Sequence, residues 1–101
     1  IRNSTDGYTI QLSDSIINSV SAVFDTDTHS ALFYIIGSNG VKTKLFSINA
    51  VLISDAAGYS DGIYLKSGTV YSYFCSIFDE SGQYNINLET IKSALQIADD
   101  F

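Results

Sequence analysis

His29 is the one histidine in the chain, so catalysis by an imidazole base would have to use it. Ser30 follows it directly, and Asp25 and Asp27 precede it. These are the three side-chain types of a hydrolase triad, which must converge in space. The same residues are also typical of a polar turn between two apolar segments. We expect this turn and not a catalytic triad. A dyad of His29 with Cys75 is the other nucleophilic option, but Cys75 lies in an aromatic segment, which indicates a buried, unreactive thiol.

Carboxylates offer two further kinds of chemistry. A pair of carboxylic acids can hydrolyse a glycosidic bond, but Glu80 lies in a predicted turn and Glu89 near the start of a predicted segment, so turn and capping roles explain both. Asp25 and Asp27 resemble the start of a calcium loop, but the Gly and the closing Glu of such a loop do not follow. We therefore expect no catalytic residue, no metal, no cofactor and no enzymatic activity.

Charge and composition argue against two classes of partner. The chain has a formal net charge of −6, with 46% hydrophobic and only 16% charged residues, below the roughly 25% charged residues of an average soluble domain. Its few basic residues do not cluster, so it lacks the basic patch that phosphate binding requires, and we expect no nucleic-acid partner. No apolar stretch reaches the roughly 18–20 residues that cross a bilayer, so we expect no membrane partner.

Apolar segments separated by turn residues predict a small all-β domain. The clearest run is Gly62–Leu88, in which Tyr, Phe, Ile and Val are interrupted by Ser-Gly pairs, and we expect consecutive short strands there. Further strands are predicted at Tyr8–Leu12, Ile16–Phe24, Ser30–Ile36 and Val41–Ile53. The continuous apolar character of Ser30–Ile36 predicts burial of both of its faces.

Turn signals and a break in alternation refine these strands. The Asn-Gly pair in Gly37–Gly40 favours a tight hairpin turn. The alternation of Val41–Ile53 slips at Phe46–Asn49, which predicts a bulge there. Small residues at Ala56–Asp61 predict a turn. The side chains predicted to be buried are Phe33, Ile35, Val51, Ile53, Phe74 and Phe78.

The C-terminal segment fits two structures. Asn87 is a suitable helix N-cap, and apolar residues then recur at helical spacing. Leu95–Ile97, however, alternates like a strand. The chain is predicted to form one domain over residues 1–101, an antiparallel β-sandwich that is jelly-roll-like, with helix and strand both open near its C-terminus.

Five short motifs occur in an order that is similar to a known family. They are Phe24-Asp25, then SALFYII at 30–36, AVLISD at 50–55, SGTVYS at 67–72, and CSIF at 75–78 leading to GQYNINL at 82–88. This order resembles a β-sandwich domain in structural proteins of tailed bacteriophages, especially those of marine cyanobacteria. The resemblance covers about two-thirds of the chain. His29 and Leu32 stand where that family has more polar residues.

The resemblance implies a non-enzymatic structural protein of the virion, either a head-decoration protein or a tail or fibre module. Its implied partners are major capsid or tail subunits and further copies of itself. Aromatic anchors strengthen such contacts, and the candidate interface residues are Tyr59, Tyr64, Tyr71 and Tyr73. The alternative function is a carbohydrate- or receptor-binding β-sandwich that uses exposed tyrosines and turn carboxylates.

Overall fold

The computed structural model describes residues 1–13 and 19–101 and contains two antiparallel sheets that pack together. The small sheet consists of β1 (Arg2–Asn3), β2 (Tyr8–Ile10) and β8 (Leu95–Ile97). The large sheet consists of β3 (Val20–Asp25), β4 (Ser30–Ile36), β5 (Lys42–Leu52), β6 (Ile63–Ser67) and β7 (Tyr71–Ile77). Their orders are β1-β2-β8 and β3-β4-β5-β7-β6. The predicted all-β, sandwich-like fold is confirmed.

The core lies between the inner face of the large sheet and the small sheet. Tyr73 on β7 meets Tyr8 on β2 edge to face, with ring centroids 5.5 Å apart. Phe33 on β4 stacks on Phe46 of β5 at 4.6 Å, and both are fully buried. Such aromatic contacts add to the stabilisation from apolar burial. They join the two sheets and the central strands of the large sheet into one core.

The β4–β5 hairpin follows its sequence signals closely. Gly40 has a φ of 79°, which lets the chain turn between the strands. A bulge interrupts the pairing, because Tyr34 pairs with Lys44 while Phe33 pairs with Phe46. The extra residue is therefore Leu45, just before the stretch where the sequence predicted the irregularity. The bulge allows two consecutive residues, Leu45 and Phe46, to be fully buried.

Burial on β4 differs from the prediction that both faces are buried. Ala31, Phe33 and Ile35 are buried on the inner face, whereas Leu32 and Tyr34 on the outer face are only half-buried. The small sheet covers only one side of the large sheet, so the outer face keeps part of its contact with solvent. The segment predicted at Ile16–Phe24 lies partly outside the described residues; its later part forms β3.

Two of the predicted strand boundaries are wrong because helices replace strand. The chain turns into α1 (Ile53–Ala56) directly after β5, which leaves Ile53 44% exposed instead of buried. After β7 the chain forms a 3-10 helix at Asp79–Tyr84, not a further strand. Of the predicted core, Phe33, Ile35 and Phe74 are buried, while Val51 and Phe78 are half-buried.

Both interpretations of the C-terminal segment apply, one after the other. The Asn87 side chain accepts a hydrogen bond from Thr90 N at 3.0 Å and begins α2 (Leu88–Ala94). The helix buries Ile91 and Ala94, and the chain then continues into β8. The helix lies against β2, β6 and β8, so it closes the core beside the small sheet. No helix in the described part of the chain is long and apolar enough to cross a membrane.

Candidate functional site

A cleft of about 310 Å³ opens at the end of the sandwich where β5 finishes, and we call it the end cleft. The residues that line it come from the β3–β4 turn, the end of β5, α1 with the loop after it, and the start of β7. They are His29, Ala50, Val51, Leu52, Asp55, Tyr59 and Tyr71. The end cleft therefore combines apolar walls, two aromatic rings, an imidazole and a carboxylate, which are typical parts of a binding site.

His29 is fixed on one side of the end cleft by a contact that the sequence did not predict. Its Nδ1 lies 2.6 Å from Oδ1 of Asp6, whose side chain is 4% exposed while that of His29 is 40% exposed. The amide Nδ2 of Asn3 also donates to Oδ2 of Asp6, at 3.1 Å. His29 has a φ of 54°, and its carbonyl accepts a hydrogen bond from Ala50 N at 2.9 Å. Both its side chain and its backbone are thus held.

The residues of the possible triad do not assemble around His29. The hydroxyl of Ser30 lies 2.7 Å from that of Thr28. Oδ1 of Asp25 accepts hydrogen bonds from the backbone N of Asp27 at 3.0 Å and of Thr28 at 3.3 Å, an arrangement that closes the turn. The turn that we expected is therefore what the structure contains, with the addition of the link from His29 to Asp6.

Cys75 lies in the core of the large sheet, as its aromatic surroundings predicted. The side chain is buried on β7, and burial raises the pKa of the thiol. A raised pKa keeps the thiol protonated near neutral pH, and the thiolate is the nucleophilic form. Among residues 1–13 and 19–101, no three His, Cys, Asp or Glu side chains come together in a way that could hold a metal ion.

The four candidate interface tyrosines occupy three different environments. Tyr64 is 52% exposed on the outer face of the large sheet. Tyr59 and Tyr71 are half-buried and line the end cleft. Tyr73 is fully buried, and its hydroxyl donates to the backbone O of Asp6 at 2.5 Å. Burial, with smaller effects of Asp6 and Tyr71, raises the pKa of Tyr73 to about 12. Tyr73 is therefore a core residue and offers no surface to a neighbour.

Neighbouring aromatic rings set the positions of Tyr59 and Tyr71. Tyr59 packs on Phe74, with ring centroids 4.5 Å apart, and burial raises the pKa of its hydroxyl. Tyr71 stacks on Phe101 at 6.1 Å and lies 5.7 Å from the ring of His29. These contacts fix the two rings before any partner arrives, which lowers the entropy lost on binding.

Phe101 holds the wall of the end cleft that contains Tyr71. Its carbonyl accepts hydrogen bonds from the backbone N of Thr69 and, at 3.0 Å, of Val70, both in the β6–β7 turn. Its ring occupies the space that a Cβ on Gly7 would fill, and Gly7 has a φ of 76°. Glycine is therefore required at position 7 for both conformation and space.

Three exposed aliphatic side chains, which we call the end patch, lie beside the end cleft. Leu52, Ile53 and Val70 are 49%, 44% and 36% exposed. They are neighbours, because Ile53 N donates to Val70 O at 3.2 Å and Leu52 pairs with Tyr71. The end patch was not predicted from the sequence, because Ile53 was assigned to a buried strand. Ile53 belongs to the patch because α1 begins there and leaves its side chain exposed.

The charges near the end cleft are mainly acidic. Asp55 lines it, and Asp61 lies close enough to Tyr59 to help raise the pKa of that residue. Lys42 and Lys44 lie toward the opposite end of β5, where their Nζ atoms lie 4.3 Å from the ring centre of Tyr34 and 5.9 Å from that of Phe78. A partner that covers the end patch is thus expected to bring apolar side chains with basic residues around them.

Comparison of the chain with protein families, with characterised proteins and with solved structures finds no match.

Proposed function

We propose that this chain is a non-enzymatic structural protein of a bacteriophage particle, a head-decoration protein or a tail or fibre module, that binds neighbouring subunits. The observation that carries the binding role is the end patch, where Leu52, Ile53 and Val70 are exposed together beside two fixed tyrosine rings. The setting in a virion rests on the resemblance of residues 23–88 to structural proteins of tailed phages.

The proposed contact would bury the end patch, an apolar surface whose exposure to water in a free monomer is unfavourable. Each exposed aliphatic side chain loses contact with water when a partner covers it, and this is favourable by about 25 cal/mol per Å² of apolar surface. Tyr59 and Tyr71 add large apolar faces with polar ends, as is common for residues that contribute most to an interface. The end patch therefore has the composition of an interface centre, and Asp55 and Asp61 would lie toward its margin.

Replacing Ile53 with glutamate is expected to weaken binding to phage particles. The carboxylate would lose its water when the apolar centre of the partner covers it. The charged residues near it in this chain, Asp55 and Asp61, are acidic and cannot form an ion pair with it. We expect the dissociation constant to rise about tenfold or more, which corresponds to ~1.4 kcal/mol. The measurement is co-sedimentation of purified chain with particles of its own phage that were assembled without it.

Ile36→Glu is the matched control for Ile53→Glu. Ile36 is 56% exposed, but it lies next to the β4–β5 turn, at the opposite end of β5 from the end patch. The same chemical change there should leave particle binding within about twofold of the parent. Equal binding by the Ile53→Glu variant and the parent would contradict the proposed use of the end patch. A parent chain that never sediments with particles would contradict the structural role itself.

The end cleft also supports a second candidate function, the binding of a carbohydrate. Sugars bind where aromatic faces stand beside hydrogen-bonding groups, and the end cleft places Tyr59 and Tyr71 together with His29 and Asp55. Its volume of about 310 Å³ is at the lower end of the range for small-molecule sites. A mono- or disaccharide at the end of a longer glycan is the ligand that this space would suit.

The carbohydrate alternative predicts that binding of the sugar depends on Asp55. If a glycan array identifies a binder, Asp55→Ala should weaken its binding about tenfold, because a carboxylate bond to a sugar hydroxyl is charge-assisted. Asp61→Ala is the control, since Asp61 is also an exposed carboxylate but does not line the end cleft. An array without binders, or equal losses for both variants, would rule out a sugar site in the end cleft.

A further inference from the structure

The strands at the edges of the two sheets differ in how well they are protected from pairing with another chain. In the small sheet the edge strands β1 and β8 have only two and three residues. In the large sheet β6 is interrupted by a bulge between Tyr64 and Lys66, and Lys66 Nζ donates to Leu95 O at 2.6 Å. Short length, bulges and lysines are the usual means by which proteins block strand edges.

The remaining edge strand, β3, has none of these protections. Its six residues, Val20–Asp25, pair with β4 without a register shift and include neither proline nor lysine. Among residues 1–13 and 19–101, no strand pairs with its second edge. An edge strand exposes a row of backbone N–H and C=O groups that another strand can bind. Of the strand edges in the part of the chain that the structure describes, β3 is therefore the one best prepared to receive another strand.

The exposure of side chains on β3 also indicates that this edge can receive another strand. Val23 is 50% exposed on the outer face, and Phe24 is 40% exposed on the inner face. Their cross-strand partners are Leu32 and Ala31, so the two exposed residues belong to opposite faces of one sheet. A single strand added beside β3 would cover apolar surface on both faces at once, which a flat partner on either face alone would not do.

We propose that β3 pairs antiparallel with β3 of a second copy of this chain, around a two-fold axis through Val23. This inference deepens the proposed structural role and rests on it for its place in the particle. Opposite residues in an antiparallel pair share a face, so the axis sets Val23 against Val23 on the outer face. It also sets Ala22 against Phe24 on the inner face and Ser21 against Asp25 on the outer face.

A second copy is the occupant because this register is complementary to itself. The small side chain of Ala22 leaves room for the ring of Phe24, and the Ser21 hydroxyl meets the carboxylate of Asp25. No charge faces a like charge, although each chain carries a formal net charge of −6; like charges directly opposite would be destabilising. The pairing would join the large sheets of two copies into one continuous sheet, which is β-augmentation by a homodimer.

A register-specific disulfide tests the proposal. In Val23→Cys the two introduced cysteines would stand directly opposite each other, with Cα atoms about 4.5–5.5 Å apart, which suits a disulfide. Ser21→Cys is the control on the same face, because residue 21 faces residue 25 and not its own copy. Native Cys75 is buried and should remain unreacted. We expect mild oxidation to convert Val23→Cys largely to a covalent dimer, while Ser21→Cys remains largely uncrosslinked.

A charge variant gives an independent measurement without a covalent bond. Val23→Lys would place two lysines opposite each other, and we expect it to raise the dimer dissociation constant about tenfold or more in sedimentation equilibrium. Val41→Lys is the control, since Val41 is 58% exposed in the β4–β5 turn, away from β3. Because Val23 is already half exposed, its variants should fold, and circular dichroism of each variant verifies this.

Three outcomes would overturn the inference. In the first, the parent sediments as a monomer and Val23→Cys does not crosslink. In the second, Ser21→Cys crosslinks as readily as Val23→Cys. In the third, Val23→Cys crosslinks to a particle protein when particles are added and never to a second copy of itself. Self-association of the pure chain and its binding to particles are separate measurements. A dimer that persists while Ile53→Glu binds particles normally would refute only the end-patch proposal. A monomeric parent with Ile53-dependent particle binding would refute only the β3 pairing.

Discussion

The free energy of unfolding is expected to fall by about 3–5 kcal/mol when Phe33 is replaced by alanine. Phe33 is fully buried on β4, between β3 and β5, and stacks on Phe46 at 4.6 Å with 12° between the ring planes. Alanine would leave a cavity in the core on the inner face of the large sheet and remove the stacking contact. Since a small domain has only about 5–15 kcal/mol of stability in total, the variant should be close to unfolding at physiological temperature.

Chemical denaturation of Phe33→Ala and of a control from the same strand measures this effect. Ile36→Ala is that control, because Ile36 ends β4 and is 56% exposed. Its stability should stay within about 1 kcal/mol of the parent, as for most surface substitutions. Similar losses in the two variants, or a loss below about 1 kcal/mol for Phe33→Ala, would contradict the position of the core between the two sheets.

Local pattern was enough to predict the strands whose partners are close in sequence. Ser30–Ile36 was predicted and found with the same bounds, because a continuous apolar run and the Asn-Gly turn that follows it act within one hairpin. The small sheet could not be predicted in this way. β2 pairs with β8 from the other end of the chain, so that Thr9 faces Gln96. Nothing in the residues around either strand specifies a partner at that distance.

Errors in burial arose where a residue's face or element depends on the tertiary structure. Phe74 was correctly predicted to be buried, but it is covered on the outer face by Tyr59 and Tyr64 instead of by the main core. Ile53 continues an apolar run, and only the start of α1 turns it outward. Tertiary contacts thus decided what a hydrophobic pattern left open.

The candidate site was harder to predict than the fold. Tyr71 and Tyr73 lie two residues apart on one face of β7, so their pattern in the sequence is the same. Their environments differ because Tyr73 lies beneath the small sheet, against Tyr8, while Tyr71 is at the end of the strand beside His29. The contact of Asp6 with His29 could not be predicted from the sequence, since an aspartate before a glycine is an ordinary turn residue.

The link from Asp6 to His29 should stabilise the fold measurably. Removing the imidazole in His29→Ala would leave the buried carboxylate of Asp6, within the described residues, with the hydrogen bond from Asn3 Nδ2. A hydrogen bond to a charged group contributes about 1.5–3 kcal/mol, and we expect a loss of that size. Asp27→Ala is the control in the same turn: Asp27 is exposed, and the change should cost less than about 0.5 kcal/mol.

A double-mutant cycle separates this bond from the backbone effect of the same substitution. His29 has a φ of 54°, where alanine is strained, so part of the loss in His29→Ala comes from the main chain. That part recurs when His29→Ala is made in an Asp6→Ala background and cancels in the cycle. The coupling energy that remains should be about 1–3 kcal/mol. Additive losses would mean that the 2.6 Å contact contributes nothing to stability. A measured coupling would establish that the wall of the end cleft containing His29 is anchored to the turn between β1 and β2 of the small sheet.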